Sequence, residues 1–357
     1  MSMTNALIPM AINLVRSSVV ICFLCLIIKP TLGQSPILNP EKLGYSTHSL
    51  VRSELGTVNY LVRSLHEKPN QPILLYLDGS GPYPLFQRMK NGFGSTLVIQ
   101  DQQLLDQFKW VLISKPGVPF VDSVEFDPTT GVPHYPAPKE YTQRLSLQWR
   151  VDAAKAVIDE LLGKHQLKPD QLIVVGVSEG FQVGAKLAAI EPRITHVGLF
   201  VGNGLNQFYD FVIAERMKME RGEQTYAETQ RAIDEIWKAA REIYADPEST
   251  DKNWMGHTYR RWSSFTSEDP VHSLLKVRVP IFVACCALDK NTSVLSADYI
   301  PLEFMREKRT NLTYKIYPYE HSFVELSKDK HGNTTGVNSH FEEVFREFTK
   351  WLEDDQN

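Results

Sequence analysis

Cysteine is scarce in this chain, with four in 357 residues. Cys22 and Cys25 lie in the first apolar stretch, and Cys285 and Cys286 are neighbours. Adjacent cysteines close no useful loop, so a disulfide framework is excluded and the core must hold the chain together. The plain reading of the pair is two small apolar residues at a buried strand end. An excess of one charge is also missing: the formal net charge is −4, with both signs interspersed. Nucleic acid and acidic membrane surfaces are therefore not expected as partners. The motifs His-Glu-x-x-His, Gly-x-Gly-x-x-Gly and the phosphate loop do not occur, so the chemistries that those motifs carry are not expected.

Long apolar runs are lacking too. The run from Val19 to Ile28 stops at Lys29-Pro30, well short of the roughly 20 residues that span a bilayer. Arg16 precedes it, and Thr31 and Gly33 put small residues at the −3 and −1 positions of a cleavage before Gln34. This is the layout of a secretory signal over residues 1–33 and predicts a secreted or periplasmic protein. An uncleaved N-terminal anchor is the alternative, and it is the one expected route to a membrane. Asn291, Asn311 and Asn333 head glycosylation sequons, which matter only in a eukaryotic source.

What the chain does have is an alternation of short apolar runs and helical stretches. Ser46 to Leu65 alternates around Gly56, as a hairpin at an antiparallel edge would. Ile73–Leu77, Trp110–Ser114, Leu172–Val175, Val197–Val201 and Ile281–Ala284 are almost wholly apolar, as parallel strands covered on both faces are. Leu312–Tyr317 reads as a last strand. Phe341 to Leu352 reads as a closing helix with Phe341, Val344, Phe345, Phe348 and Trp351 on one face. Residues 205–272 break the alternation. There Thr225-Tyr226-Ala227-Glu228 forms a capping box, and Tyr226, Ile233, Ile236, Trp237, Ala240, Ile243 and Tyr244 keep a helical period. The class predicted is α/β, a mostly parallel sheet with helices on both faces. Its core spans residues 46–204 and 273–353, and residues 205–272 form an inserted helical cap. Val118 to Pro138, Pro-rich and aperiodic, reads as a long surface loop.

Gly176-Val177-Ser178-Glu179-Gly180 carries the chemical signal. A serine hydroxyl attacks well only where a base takes its proton and paired donors hold the oxyanion. Gly-x-Ser-x-Gly provides that position on a strained strand-to-helix turn, and here a strand precedes it and a helix, Phe181 to Ile190, follows. Ser178 is thus the candidate nucleophile. His321, just after the last strand, is the candidate base, with His331 and His340 as rivals. Asp289, after the strand Ile281–Ala284, is the candidate acid, with Asp298 as rival.

The candidate oxyanion donors are the backbone N–H of Glu179 and an N–H from Leu77-Asp78-Gly79-Ser80-Gly81-Pro82, Ser80 first and Gly81 next. The Glu179 carboxylate either binds a cationic substrate group or pairs locally. Trp254, Tyr259 and Trp262, with Arg260, Arg261 and Phe265, either line a substrate pocket or pack the cap against the core.

With Asp78-Gly79-Ser80-Gly81, the elbow around Ser178, Asp289 and His321 in that order, the chain from about Ser46 onward resembles the α/β-hydrolase superfamily. Val279-Pro280-Ile281-Phe282-Val283 followed by Asp289 looks like secreted bacterial hydrolases grouped with dienelactone hydrolases and prolyl-oligopeptidase catalytic domains. Dienelactone hydrolases carry Cys in place of Ser178, and the segment before Ile73 has no room for a propeller. The resemblance implies cofactor-free acyl transfer on a small-molecule or peptide substrate, with a carboxylic ester expected first. A peptidase or amidase, and a non-catalytic binding protein on the same fold, are the alternatives.

Overall fold

A computed structural model describes residues 39–64, 70–90, 92–127, 133–331 and 334–354. Residues 1–33, where a secretory signal is expected, and Asn333 lie outside the described residues. Among the described residues no helix is long and apolar enough to cross a membrane.

Strands β1 (Tyr45–Arg52) and β2 (Gly56–Arg63) pair antiparallel around a turn in which Gly56 has φ 72°. β3 (Ile73–Leu77), β4 (Lys109–Ile113), β5 (Leu172–Val177), β6 (His196–Phe200) and β7 (Ile281–Cys286) are buried along their whole length. With β8 (Leu312–Tyr317) at the far edge they form one eight-stranded sheet in the order β1-β2-β4-β3-β5-β6-β7-β8. All neighbours from β4 to β8 run parallel, and β2 meets β4 antiparallel.

Successive side chains on a strand face opposite ways, so each apolar run feeds two cores. Ile73, Leu75, Val174 and Val283 face helix α1 (Leu147–Asp159) and helix α2 (Glu179–Ile190). Leu74, Tyr76, Ile173, Val175 and Phe282 face helix α7 (Phe341–Asp354), whose Phe341, Val344, Phe345, Phe348 and Leu352 are buried. Trp351 is partly buried at the margin of that face. Cys285 joins the first core and Cys286 the second, which is why these adjacent thiols stay free, and burial pushes both thiols up.

Between β6 and β7 come α3 (Gln207–Glu220), α4 (Tyr226–Ala245), a small hairpin of Asn253–Trp254 with His257–Thr258, α5 (Tyr259–Phe265) and α6 (Pro270–Leu274). The capping box forms: Thr225 N–H donates to Glu228 Oε2 at 2.8 Å, and Glu228 N–H donates to Thr225 Oγ1 at 3.3 Å. The buried stripe of α4 is narrower than the sequence suggests. Ile233, Ile236, Ala240 and Ile243 are buried, while Tyr226, Trp237 and Tyr244 are exposed because they fall on the flanks of that stripe.

Two further departures concern short strands. A hairpin of Val324–Lys328 with Thr334–Ser339 follows β8, and its largely polar sequence gives no apolar alternation to read. The Pro-rich stretch is not wholly irregular: Val121–Ser123 pairs with Phe86–Met89, and Glu125–Phe126 with Pro133–His134. These pairings lie too far apart in sequence, or are too short, to leave a periodic signal.

Candidate active site

The carboxyl ends of the parallel strands bring the candidate residues together. Leu77 pairs with Gly176 and Val177 with Phe200, so the turns after β3, β5 and β6 start side by side. Ser178 follows β5 with φ 54° and ψ −119°, a conformation that costs a non-glycine residue of order 1–3 kcal/mol. The flanking glycines make the turn feasible. A Cβ on Gly176 would lie 2.2 Å from Gly180 O, and one on Gly180 would lie 1.9 Å from Leu77 O. Both obstacles are backbone atoms, so no side-chain rearrangement relieves them. A Cβ on Gly79 would meet Ser178 Cβ at 3.4 Å, which places the loop after β3 directly against the serine.

Asp289 lies just beyond β7 in a loop that saturates its carboxylate. Asn291 and Thr292 N–H donate to Oδ1 at 2.7 and 2.9 Å, and the Thr292 hydroxyl donates to Oδ2 at 2.7 Å. His321 begins a short turn after β8, in which Ser322 and Phe323 have φ of 60° and 57°. Phe323, fully buried against Phe200, Tyr317 and Phe341, anchors that turn. The result is a continuous line: His321 Nδ1 to Asp289 Oδ2 is 2.6 Å, and His321 Nε2 to Ser178 Oγ is 3.2 Å. Pairing of Nδ1–H with the carboxylate assigns Nε2 as the acceptor facing the serine. Burial pushes the Asp289 carboxyl up, but the imidazole and the Thr292 donors outweigh this, and it lies below its ordinary value. The Nε2–Oγ separation fits proton transfer from the hydroxyl, and the Nδ1–Oδ2 contact holds the imidazole in place for it.

The rival residues are placed elsewhere. His331 is exposed, and His340 stacks on Tyr319 at 4.3 Å while pairing with Glu325 and Glu343. Asp298 accepts from the Tyr314 hydroxyl at 2.9 Å. Glu179 N–H stands at the start of α2, where a helix leaves its first donors without intrahelical partners. Ser80 and Gly81 lie in the loop beside Ser178, and Gly81 has φ 92°.

The Glu179 side chain pairs locally. It is enclosed by Arg150 from α1, with Nη1 to Oε1 at 2.9 Å, and by Arg261 from α5, with Nη2 to Oε2 at 2.6 Å. Burial pushes its carboxyl up, yet Arg261, Arg150 and Lys115 bring it down to about 2. That charged cluster leaves the carboxylate without access to a substrate cation. Asp78 is its counterpart on the β3 loop: Arg150 Nη2 donates to Oδ1 at 2.7 Å, and Lys115, beyond β4, pairs with Oδ2. Arg150 and Lys115 escaped the sequence reading. The only trace of Arg150 is a charge set among the buried positions Trp149, Val151 and Ala154 of a helix.

The pocket reading of the cap aromatics needs correction. Trp262 stacks on Phe208 at 5.8 Å, meets Trp254 at 5.0 Å and donates to Trp254 O at 2.7 Å. Tyr259 is buried in the same cluster and donates to Glu242, and Trp254 packs against it half-buried. These rings fill the cap's own core, because apolar stripes of α3 and α4 need a third surface to cover them. Phe265 is part of the main core. A hollow on this segment is lined by Phe208, Tyr209, Trp237, Arg241 and Tyr244.

Glu179 also ties stability to pH. Its carboxyl sits at about 2 in the fold against an ordinary 4.5, so its contribution is complete above pH 4.5 and is lost as pH falls toward 2. Glu179→Gln is expected to lower Tm at neutral pH and to flatten the fall of Tm between those two values. Thermal melts across the acid range check this, and equal slopes in both proteins would refute it.

The fold defined by this sheet and the elbow on it is that of the α/β-hydrolases. It is shared with the uncomplexed acylaminoacyl peptidase of Pyrococcus horikoshii at a TM-score of 0.53 and 11% identity, covering 87% of this chain and 41% of that one. An esterase of Pyrococcus furiosus (TM-score 0.46, 11% identity, 83% of this chain and 90% of that one) is less similar in structure. So is a puromycin-hydrolyzing peptidase of Mycobacterium tuberculosis (TM-score 0.47, 14% identity, 78% and 36%). The chain thus spans well under half the length of either peptidase. No family model matches the sequence, and no curated protein does.

Proposed function

We propose that this chain is a serine hydrolase that cleaves carboxylic esters through an acyl-enzyme on Ser178. The observation that carries the reading is the hydrogen-bonded line from Ser178 Oγ through His321 to Asp289. In this reading His321 Nε2 takes the hydroxyl proton as Oγ attacks the carbonyl carbon, and the carbonyl π pair moves onto oxygen. The N–H groups of Glu179 and of Ser80 or Gly81 hold that oxyanion. Collapse breaks the bond to the alcohol, which leaves with the proton from His321. Water then repeats the sequence, with His321 again as base, and releases the acid. Asp289 stays ionised throughout and steadies the imidazolium. Every step uses side-chain and backbone groups of this chain.

The fold shared with an acylaminoacyl peptidase favours amide cleavage as a second reading. A fluorophosphonate probe and a panel of p-nitrophenyl esters and acylaminoacyl p-nitroanilides separate the readings. The expected result is fluorophosphonate labelling of Ser178 with turnover of esters well above that of anilides. Faster turnover of the anilides would favour the peptidase, and a folded protein that neither labels nor turns over would be a binding protein.

A further inference from the structure

One side chain joins the two backbone segments that the proposed reaction needs side by side. The Arg150 guanidinium donates through Nη1 to Asp78 O and to Glu179 Oε1, both at 2.9 Å, and through Nη2 to Asp78 Oδ1 at 2.7 Å. Asp78 opens the loop that carries Ser80 and Gly81, and Glu179 carries the N–H that follows the nucleophile. Each carboxylate is also held from its far side, Asp78 by Lys115 and Glu179 by Arg261 at 2.6 and 3.1 Å. None of the five side chains is more than 5% exposed.

Such a row of buried charges needs a reason. Removing ions from water costs several kcal/mol each, so buried pairs add little stability over apolar packing of the same volume. A planar guanidinium does, however, fix the spacing and orientation of the groups it bridges. An oxyanion hole depends on that property, since its donors must be in place before charge develops on the substrate. Here the donors come from the ends of two different strands, β3 and β5.

We propose that Arg150 is a positioning residue that sets the oxyanion hole by bridging Asp78 to Glu179. Arg261 extends the bridge to the cap: its Nη1 donates to Gln207 on α3 at 3.0 Å, and its guanidinium lies 4.4 and 4.5 Å from the ring centres of Trp262 and Phe265. The proposal rests on the serine-hydrolase reading of Ser178, and its test separates the two.

Arg150→Lys keeps the charge, but one ammonium cannot span three acceptors in a plane. With p-nitrophenyl acetate, kcat is expected to fall on the order of 10²-fold while KM moves by less than about threefold. Binding of an arylboronic acid, whose tetrahedral adduct occupies the oxyanion site, should weaken by the same factor, and inhibition by the product carboxylate should not change. Fluorophosphonate labelling of Ser178 should be slower but still go to completion. If Arg150→Lys does not fold, the charge-balanced pair Arg150→Met with Glu179→Gln takes its place, with the same readouts. A folded variant with wild-type kcat and boronate affinity overturns the bridge, as does one that loses product binding as much as boronate binding. Full activity in Arg150→Lys alongside an inactive Ser178→Ala defeats the bridge alone. A wild-type chain that neither labels nor turns over ester defeats the hydrolase reading and the bridge with it.

Discussion

Ser178→Ala is expected to lower ester turnover by about 10⁶-fold and to abolish fluorophosphonate labelling, with Tm changed by no more than about 2 °C. The large kinetic effect follows from the geometry. Ser178 Oγ lies on the line to His321 and Asp289, and in the proposed mechanism no covalent intermediate forms without it. The small stability effect follows from what holds the elbow. Ser178 N–H donates to Phe200 O at 3.0 Å, Phe181 N–H donates to Ser178 O at 2.9 Å, and close backbone packing at Gly176 and Gly180 is untouched. None of these contacts uses Oγ. Steady-state assays on purified protein, with mass spectrometry of the labelled chain, measure both effects. Turnover retained within tenfold of wild type would remove Ser178 from the mechanism.

Asp289→Asn should cost about 10⁴ in kcat, as expected when an amide replaces the acid that orients a catalytic histidine. The reason lies in hydrogen-bond polarity. The Asn291 and Thr292 N–H groups both donate to Oδ1, so the amide oxygen takes that place and the NH₂ group takes the place of Oδ2, facing His321 Nδ1, while the Thr292 hydroxyl can donate to Val201 O instead. Nδ1 must then accept, which leaves the proton on Nε2, and the imidazole can no longer take the Ser178 proton. Labelling by fluorophosphonate should slow in parallel with kcat, while KM stays within a few-fold. Asp298→Asn is the control, because that carboxylate accepts from the Tyr314 hydroxyl instead, and its kcat should stay close to wild type. A loss below about tenfold in Asp289→Asn would mean that another group orients the base.

Much of the fold was legible along the chain because it follows from local steric and hydropathic rules. Ile73–Leu77 and Leu312–Tyr317 form strands with the boundaries read for them, and Trp110–Ser114 and Val197–Val201 are each displaced by one residue. β5 and β7 run two residues past their apolar runs, because sheet pairing carries the backbone on to the turns that hold Ser178 and Asp289. Patterning misled where burial depended on a distant partner. Tyr226, Trp237 and Tyr244 keep a helical period yet stay exposed, and Trp262 and Tyr259 pack within the cap. A residue's period says which side it is on, but not what comes to cover that side.

The elbow was settled by the sequence. Two glycines that permit backbone contact at Gly180 O and Leu77 O, a serine between them and an apolar strand before them allow few other local structures. Tertiary structure decided the rest: which of ten histidines reaches Ser178, and what encloses Glu179. Ser178 and His321 are 143 residues apart, and Glu179 and Arg261 are 82 apart. Contacts over such separations leave no periodic trace in the chain, because they form only when the sheet brings the ends of β3, β5, β7 and β8 to one edge and α5 packs beside Glu179.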